Sequence, residues 1–151
     1  MSEESRAIAA RKKARRLAMQ AVYQWQMADT ESAPLIEQFL DDDKMEHANA
    51  DYFRQVLLGV MQQVTELETA IAEAMDRPFE QLDPVERAVL NVSAYELFHC
   101  LEIPYRVVIN EAVEMAKTYG ATDSHRYINA VVDRLAQQAR AIEIRSRSQA
   151  R

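Results

Sequence analysis

The chain has 151 residues, of which 48% are hydrophobic and 28% are charged, and these values are typical of one globular domain. No apolar run approaches the roughly 20 residues that a membrane-spanning helix needs. The single Cys100 cannot form an internal disulfide, and the Cys and His residues lack the spacing of zinc ligands. Because the N-terminus also lacks the apolar segment of a secretory signal, we expect a cytoplasmic protein with no membrane contact.

The net charge of −6 is distributed unevenly along the chain. Residues 1–16 contain six Lys and Arg against two Glu, and residues 140–151 contain four Arg against one Glu. The residues between them hold 8 basic and 21 acidic side chains. An acidic body with basic ends repels a polyanion over most of its surface and attracts it at one place. The charge pattern therefore favours a local nucleic-acid site over a protein that binds nucleic acid everywhere.

Helices are the predicted elements, because a chain with only 2 Gly and 4 Pro has few of the residues that tight turns require. Apolar residues at three- and four-residue spacing predict a first helix over about residues 8–28, whose N-terminal part carries basic residues. Pro34 fits the first turn of a short second helix. Asn49 or Asp51 can open a long third helix, which should end before Pro78 because the residue preceding a proline avoids the helical region.

The second half of the chain has stronger helix signals. Asp83-Pro84-Val85-Glu86 predicts a helix start, with an N-cap acceptor, a proline at the first helical position and an acid three residues after the cap. This helix, to about Cys100, is apolar nearly all round, which is typical of the centre of a bundle. A further helix should end at Gly120 as a left-handed cap. Asp123-Ser124 is expected to cap the last helix.

The predicted fold is therefore a single all-α domain over residues 1–151 with six or seven helices. We expect its two basic ends, residues 1–7 and 142–151, to be flexible.

Four segments in consistent order resemble the NusB family over about residues 8–140. They are the basic run 11–15 leading into 18–23, residues 86–90 followed by 95–97, Ile103-Pro104 followed by 108–117, and Tyr119-Gly120 followed by 124–129. The resemblance implies two packed three-helix bundles with a basic N-terminal arm. Two departures stand out: Tyr127-Ile128-Asn129-Ala130 replaces the usual Phe-Val-Asn-Gly, and Asn91 replaces the usual Arg.

The resemblance also implies a function. Members of this family are transcription antitermination factors rather than enzymes, and they use no cofactor or metal. They bind boxA-type single-stranded RNA in nascent ribosomal RNA as a heterodimer with the ribosomal protein NusE. This complex joins RNA polymerase with other Nus factors and promotes processive elongation. A homodimer is a further possibility that the resemblance allows.

The RNA-binding residues are predicted from the resemblance and from side-chain chemistry together. Cations displace counterions from phosphates, aromatic rings stack on unpaired bases, amides can read base edges, and helix N-termini attract phosphate. The predicted residues are Arg11, Lys12, Arg15, Arg16, Gln20, Tyr23, Ser124, His125, Arg126, Tyr127 and Asn129. The alternative is a solvated N-terminus, with tyrosines at the edge of the core and polar groups that only cap helices.

A separate set of residues is predicted to bind the protein partner. The resemblance matches Glu86 to a position that meets the basic ribosomal protein, where a carboxylate would make a charge-assisted contact. The alternative role of Glu86 is to cap its own helix. The predicted partner-binding residues are Glu86, Arg87, Leu90 and Asn91.

Two other functions stay open from the sequence. One is the related helical RNA-binding module that occurs fused to ribosomal RNA methyltransferases, here in a free-standing form. The other is a helical adaptor or dimer whose basic arm packs on an acidic protein. An enzyme is disfavoured, since the sequence has no glycine-rich phosphate loop, no HExxH motif and no nucleophile elbow.

Overall fold

The computed structural model of the protein describes the backbone of residues 1–149 and the side chains of residues 1–146. Within residues 1–149 the chain forms seven α-helices and two short 3-10 helices, and no strand, which confirms the predicted all-α class. The α-helices are α1 Glu3–Ala28, α2 Ser32–Leu40, α3 Ala50–Ala74, α4 Pro84–His99, α5 Tyr105–Tyr119, α6 Ser124–Ala139 and α7 Ala141–Gln149. The 3-10 helices are Asp43–Met45 and Phe79–Gln81. Among the described residues, no helix combines the length and hydropathy that crossing a bilayer requires.

The first and last helices extend into the predicted flexible ends. α1 begins earlier than predicted because the Ser2 side chain accepts a hydrogen bond from the backbone N–H of Ser5 (3.1 Å) and caps it. Residues 3–7 are therefore helical, as are residues 141–149 of α7. Residues 150 and 151 lie outside the described part of the chain, and the flexibility of both ends stays a prediction.

The predicted helix starts at Asn49 and Asp83 are confirmed by their hydrogen bonds. Asn49 Oδ1 accepts from the backbone N–H of Tyr52 (3.0 Å), which makes Asn49 the cap of α3. Asp83 accepts from the backbone N–H of Glu86 (2.8 Å), and the Glu86 carboxylate accepts from the N–H of Asp83 (3.2 Å). These two reciprocal bonds form a complete capping box at the start of α4.

The predicted end of α5 at Gly120 and the predicted start of α6 at Asp123-Ser124 are confirmed in position, but the predicted capping geometry is wrong at both. Gly120 has extended backbone angles (φ −91°, ψ 175°) rather than left-handed ones. A Cβ atom there would lie 2.7 Å from the carbonyl oxygen of Ala116, so close approach is what favours glycine. The left-handed residue is Asp123 (φ 67°), whose side chain makes no capping bond to α6. Ser124 does not cap the helix either, because its hydroxyl donates to the Glu86 carboxylate.

α4 occupies the centre of the fold, as its all-round apolar pattern predicts. The first three helices form one group and α4, α5 and α6 form another, and α4 also packs against α1 and α3. Residues 88–97 are all buried. The C-terminal end of α4 is held by the buried Arg140, which donates to four backbone carbonyls, those of Glu96, Leu97, Cys100 and Ile103. At the opposite end of α4, the bond from Ser124 to Glu86 places the starts of α4 and α6 side by side.

Candidate RNA and partner interface

The N-terminal part of α1 presents three of the four predicted cations to solvent. Lys12 is half exposed, and its Nζ lies 3.9 Å from the Glu111 carboxylate. Arg11 is partly exposed, with its guanidinium carbon 5.4 Å from the centre of the Tyr52 ring. Arg16 is partly exposed as well, although its Nε atom is buried and has no hydrogen-bond partner. These side chains can reach a polyanion at the protein surface.

Arg15 lies in the interior, which contradicts the prediction that it contacts phosphate. Its side chain is 3% exposed, and its Nε donates to both Glu96 oxygens (2.9 and 2.8 Å) while Nη1 donates to Glu111 (3.2 Å). The Tyr52 hydroxyl donates to the same Glu96 carboxylate. Burial lowers the pKa of Arg15, but attraction to Glu96, the hydrogen bond with it, and the charges of Tyr52 and Glu111 raise that pKa above its usual value. Arg15 is thus a structural cation.

The start of α6 brings three more predicted residues to the surface. Arg126 is 80% exposed, with its Nε 3.8 Å from Asp123, and Asn129 is exposed one turn further on. His125 is partly exposed. Ser124 is buried, and its hydroxyl donates to Glu86 (2.8 Å), so it joins α6 to the capping box of α4. The groups that an RNA can reach at this end of α6 are therefore the imidazole of His125, the guanidinium of Arg126 and the amide of Asn129.

Tyr127 does not offer a free ring. The guanidinium carbon of Arg77 lies 3.8 Å from the ring centre, and the Tyr127 hydroxyl is buried without a hydrogen-bond partner. Burial raises the pKa of Tyr127 above its ordinary value. Sequence reasoning missed Arg77, because nothing local distinguishes it from other arginines and Tyr127 lies fifty residues away. Ala130, the departure in this segment, is partly buried.

Gln20 and Tyr23 lie in a groove between α1, α2 and the neighbouring helix ends. The Gln20 amide donates to the Tyr119 hydroxyl (3.2 Å), and Tyr23 is exposed beside Met27. The groove has a volume of about 550 Å³ and is lined largely by apolar side chains. Its lining includes Met19, Tyr23, Met27, Phe39, Val85 and Tyr119. Since Val85 immediately precedes Glu86, this groove adjoins the predicted partner-binding position.

Two of the four predicted partner-binding residues are accessible. Glu86 and Arg87 are partly exposed, and Arg87 forms a bidentate pair with Glu68 (2.6 and 2.9 Å). Leu90 and Asn91 are both 0% exposed, which contradicts the prediction that they contact a partner. They lie one turn further along α4, where the helix is enclosed, and the Asn91 amide donates to Glu68 (2.9 Å).

The sequence model of the NusB family matches residues 12–137. The chain belongs to the NusB family. Its relatives include the transcription antitermination protein NusB of Marinomonas sp. (strain MWYL1), which is 48% identical over 93% of this chain and 82% of that protein. The NusB protein of Pseudomonas savastanoi pv. phaseolicola (strain 1448A / Race 6) is 44% identical over 91% and 84%. The resemblance of the four sequence segments is therefore confirmed.

Solved structures of NusB proteins share the fold. The structure of T. maritima NusB matches with a TM-score of 0.74 at 27% identity, over 83% of this chain and 89% of that one. A chain of the crystal structure of antitermination factors NusB and NusE in complex with dsRNA matches with a TM-score of 0.73 at 17% identity. That match covers 84% of this chain and 96% of the other, and at this identity it supports the fold alone.

Proposed function

We propose that this member of the NusB family is a transcription antitermination factor. It binds boxA-type single-stranded RNA in nascent ribosomal RNA together with NusE, and promotes processive elongation by RNA polymerase. It works in the cytoplasm, alongside other Nus factors. The proposal is supported by relatives that are named transcription antitermination proteins and by a structural neighbour solved with NusE and dsRNA. The proposed activity is binding rather than catalysis, as in NusB proteins generally.

One hydrogen bond carries the proposal. The bond from Ser124 to Glu86 (2.8 Å) joins the start of α6, where RNA-binding residues are predicted, to the start of α4, where a partner-binding residue is predicted. The two predicted surfaces are therefore neighbours. A small protein with adjacent RNA and protein sites can hold both ligands at once.

The proposed RNA surface consists of the exposed and partly exposed predicted residues on the N-terminal part of α1 and at the start of α6. Gln20, whose amide donates to Tyr119, and Tyr23 lie apart from it in the groove. Flexible single-stranded RNA can follow cations along α1 and reach the start of α6. The surface comprises Arg11, Lys12, Arg16, His125, Arg126, Tyr127 and Asn129. Ser124 contributes by positioning, because its hydroxyl is already bonded to Glu86.

The proposed NusE surface is Glu86, Arg87 and the adjoining groove. Both oxygens of the Glu86 carboxylate already accept bonds, from the N–H of Asp83 and from Ser124, so towards a basic protein Glu86 contributes its partly exposed negative charge. The groove contributes apolar area that a protein side chain can fill. Tyr23 lines this groove, so we assign its ring to the partner protein. A Tyr23→Ala variant separates this assignment from base stacking: the loss should appear in NusE binding and not in RNA binding measured without NusE.

The first experiment measures binding of boxA RNA and a scrambled RNA across a salt series, with and without NusE. Selective binding that NusE strengthens is the expected result. Arg11→Ala combined with Lys12→Ala should reduce the salt slope by about 1.4, since each phosphate contact to a single strand contributes about 0.7. Arg106→Ala with Arg145→Ala removes the same charge from two exposed arginines near the other end of α5 and should leave the slope unchanged.

The remaining outcomes identify the other functions. RNA binding that requires neither boxA nor NusE would favour the methyltransferase-type RNA module. Equally weak binding to both RNAs, with no effect of NusE, would contradict the proposal and leave a helical adaptor. The homodimer stays a prediction, and light scattering with and without RNA tests it: a dimer formed through the RNA surface should dissociate when RNA binds.

A further inference from the structure

Arg77 covers the one ring in the proposed RNA surface that was expected to stack on a base. It lies in the connection between α3 and α4, and its guanidinium carbon is 3.8 Å from the centre of the Tyr127 ring. This distance is well inside the roughly 6 Å over which a cation and an aromatic ring attract each other. The contact joins two segments that are far apart in the sequence.

The backbone around Arg77 is held in place on both sides. Met75 and Phe79 are partly buried against the core, and Pro78 restricts the backbone of the residue before it to extended conformations. The Arg134 side chain, two turns along α6 from Tyr127, donates to the carbonyl oxygen of Ala74. The end of α3 and the connection after it are thus fixed along the face of α6 that carries Tyr127.

The group that faces solvent here is the guanidinium. The Arg77 side chain is 46% exposed, whereas the Tyr127 hydroxyl is buried and the tyrosine is only partly exposed. A base that approaches this position therefore meets Arg77 before it meets the tyrosine ring. Guanidinium groups are planar and weakly hydrated, and they stack both on aromatic rings and on unpaired bases.

The surrounding charges favour a base over a phosphate at this position. The Asp76 carboxylate lies 3.9 Å from the Arg77 Nε, and Glu86 accepts a hydrogen bond from Ser124, which lies one turn before Tyr127 on α6. The Asp76 carboxylate offsets part of the Arg77 charge and so weakens its attraction for a phosphate, whereas it does not oppose a neutral base. Arg77 thus differs from Arg11 and Lys12, which lie on the basic arm.

We propose that Arg77 is the stacking surface for one unpaired RNA base, and that Tyr127 is a positioning residue that supports the guanidinium from beneath. The base, Arg77 and Tyr127 then form a three-layered stack. This inference rests on the proposed RNA-binding function and adds to it a residue and a mode of contact.

The test compares RNAs that lack a single base. Dissociation constants are measured for boxA RNA and for a series of RNAs with one abasic position each, with the full-length wild type and with Arg77→Ala. We expect one abasic position to weaken wild-type binding by roughly 5- to 150-fold, which is the range for one stacked base. Arg77→Ala should weaken binding of the intact RNA similarly, and the same abasic position should then cause no further loss.

Two conservative variants separate stacking from charge. Arg77→Lys keeps the charge but not the planar group, so it should bind as weakly as Arg77→Ala while it keeps the wild-type salt slope. Tyr127→Phe should bind like the wild type, since the hydroxyl has no partner, whereas Tyr127→Leu should lose the stacking contribution. Arg106→Ala is the matched control, because Arg106 also lies over a tyrosine ring, 6.0 Å from the centre of Tyr105.

Three outcomes would overturn the inference. Full rescue by Arg77→Lys would make the contact an ordinary ionic one with phosphate. Unchanged RNA affinity in Arg77→Ala, with only a lower thermal stability, would make the Arg77–Tyr127 pair purely structural. In both cases the variant with Arg11→Ala and Lys12→Ala would still lower the salt slope of RNA binding, so the proposed function would stand. Absence of selective RNA binding by the wild type would contradict both the proposed function and the stacking role of Arg77.

Discussion

Replacing Arg15 with alanine tests the buried charge cluster against the alternative that Arg15 contacts RNA. In the folded protein Glu96 is 1% exposed, and it receives two hydrogen bonds from Arg15 and one from Tyr52. Arg15→Ala leaves this carboxylate with only the tyrosine hydroxyl, and it also removes a partner of Glu111. Removing one member of a buried ion pair costs about 3–5 kcal/mol, because the other charge stays buried without compensation.

The expected loss is large compared with the stability of a domain, which is about 5–15 kcal/mol. For a chain of this size each kcal/mol shifts the melting temperature by about 2–4 °C, so Arg15→Ala should melt about 6–20 °C lower. Urea unfolding followed by far-ultraviolet circular dichroism measures the free energy directly. RNA affinity is then measured at a temperature at which the variant is still folded, and there it should be close to that of the wild type.

Two further variants serve as controls for this prediction. Lys12→Ala removes an exposed cation 3.9 Å from Glu111 and should change the stability by less than about 1 kcal/mol. Arg15→Met combined with Glu96→Gln removes both charges, and it should be less destabilised than Arg15→Ala alone. A stability within about 1 kcal/mol of the wild type for Arg15→Ala, together with a loss of RNA affinity, would refute the structural role.

Three other predictions concern the core. Gly59→Ala should lower the free energy of unfolding, measured in urea, by about 1–3 kcal/mol, because the new Cβ would lie 2.0 Å from a Tyr95 ring carbon that must then move. A variant as stable as the wild type would contradict this packing. Arg140→Lys should lower the free energy of unfolding by about 3 kcal/mol in the same assay, since the three donors of an ammonium group cannot satisfy four carbonyls. An unchanged free energy would mean that the carbonyls find other partners. Burial is the main cause that raises the pKa of Cys100 to about 11, so the thiolate, which attacks iodoacetamide and displaces iodide, forms only as the pH rises towards that value. Alkylation at pH 8 should therefore be about 100-fold slower than in the urea-unfolded chain, and equal rates would show an accessible thiol.

Helix positions were predictable where the signal is local. Asp83, Pro84 and Glu86 define a helix start from four consecutive residues, and the capping box forms as predicted. The turn before α6 was not predictable in this way. Glycine is favoured at position 120 by the close carbonyl oxygen of Ala116 rather than by a left-handed backbone, and the hydroxyl of Ser124 bonds to Glu86 in another helix instead of capping its own.

The site was predictable only in part, because sequence patterns do not show which cations are buried. Arg15 and Arg16 are adjacent and chemically identical, but only Arg15 meets a buried carboxylate, and that carboxylate lies 81 residues away. Leu90 and Asn91 follow Glu86 by about one turn, which is enough to move them from the helix start into the core. Arg77 became recognisable only when the fold placed it over Tyr127.

The central position of α4 has a consequence for folding. Since α4 packs against α1 and α3 on one side and against α5 and α6 on the other, neither group can lose α4 without exposing the apolar core of the other. The two bundles therefore form one cooperative unit and should unfold in a single transition, with no intermediate in which one bundle survives. The residues proposed to bind RNA and those proposed to bind protein consequently become ordered in the same folding event.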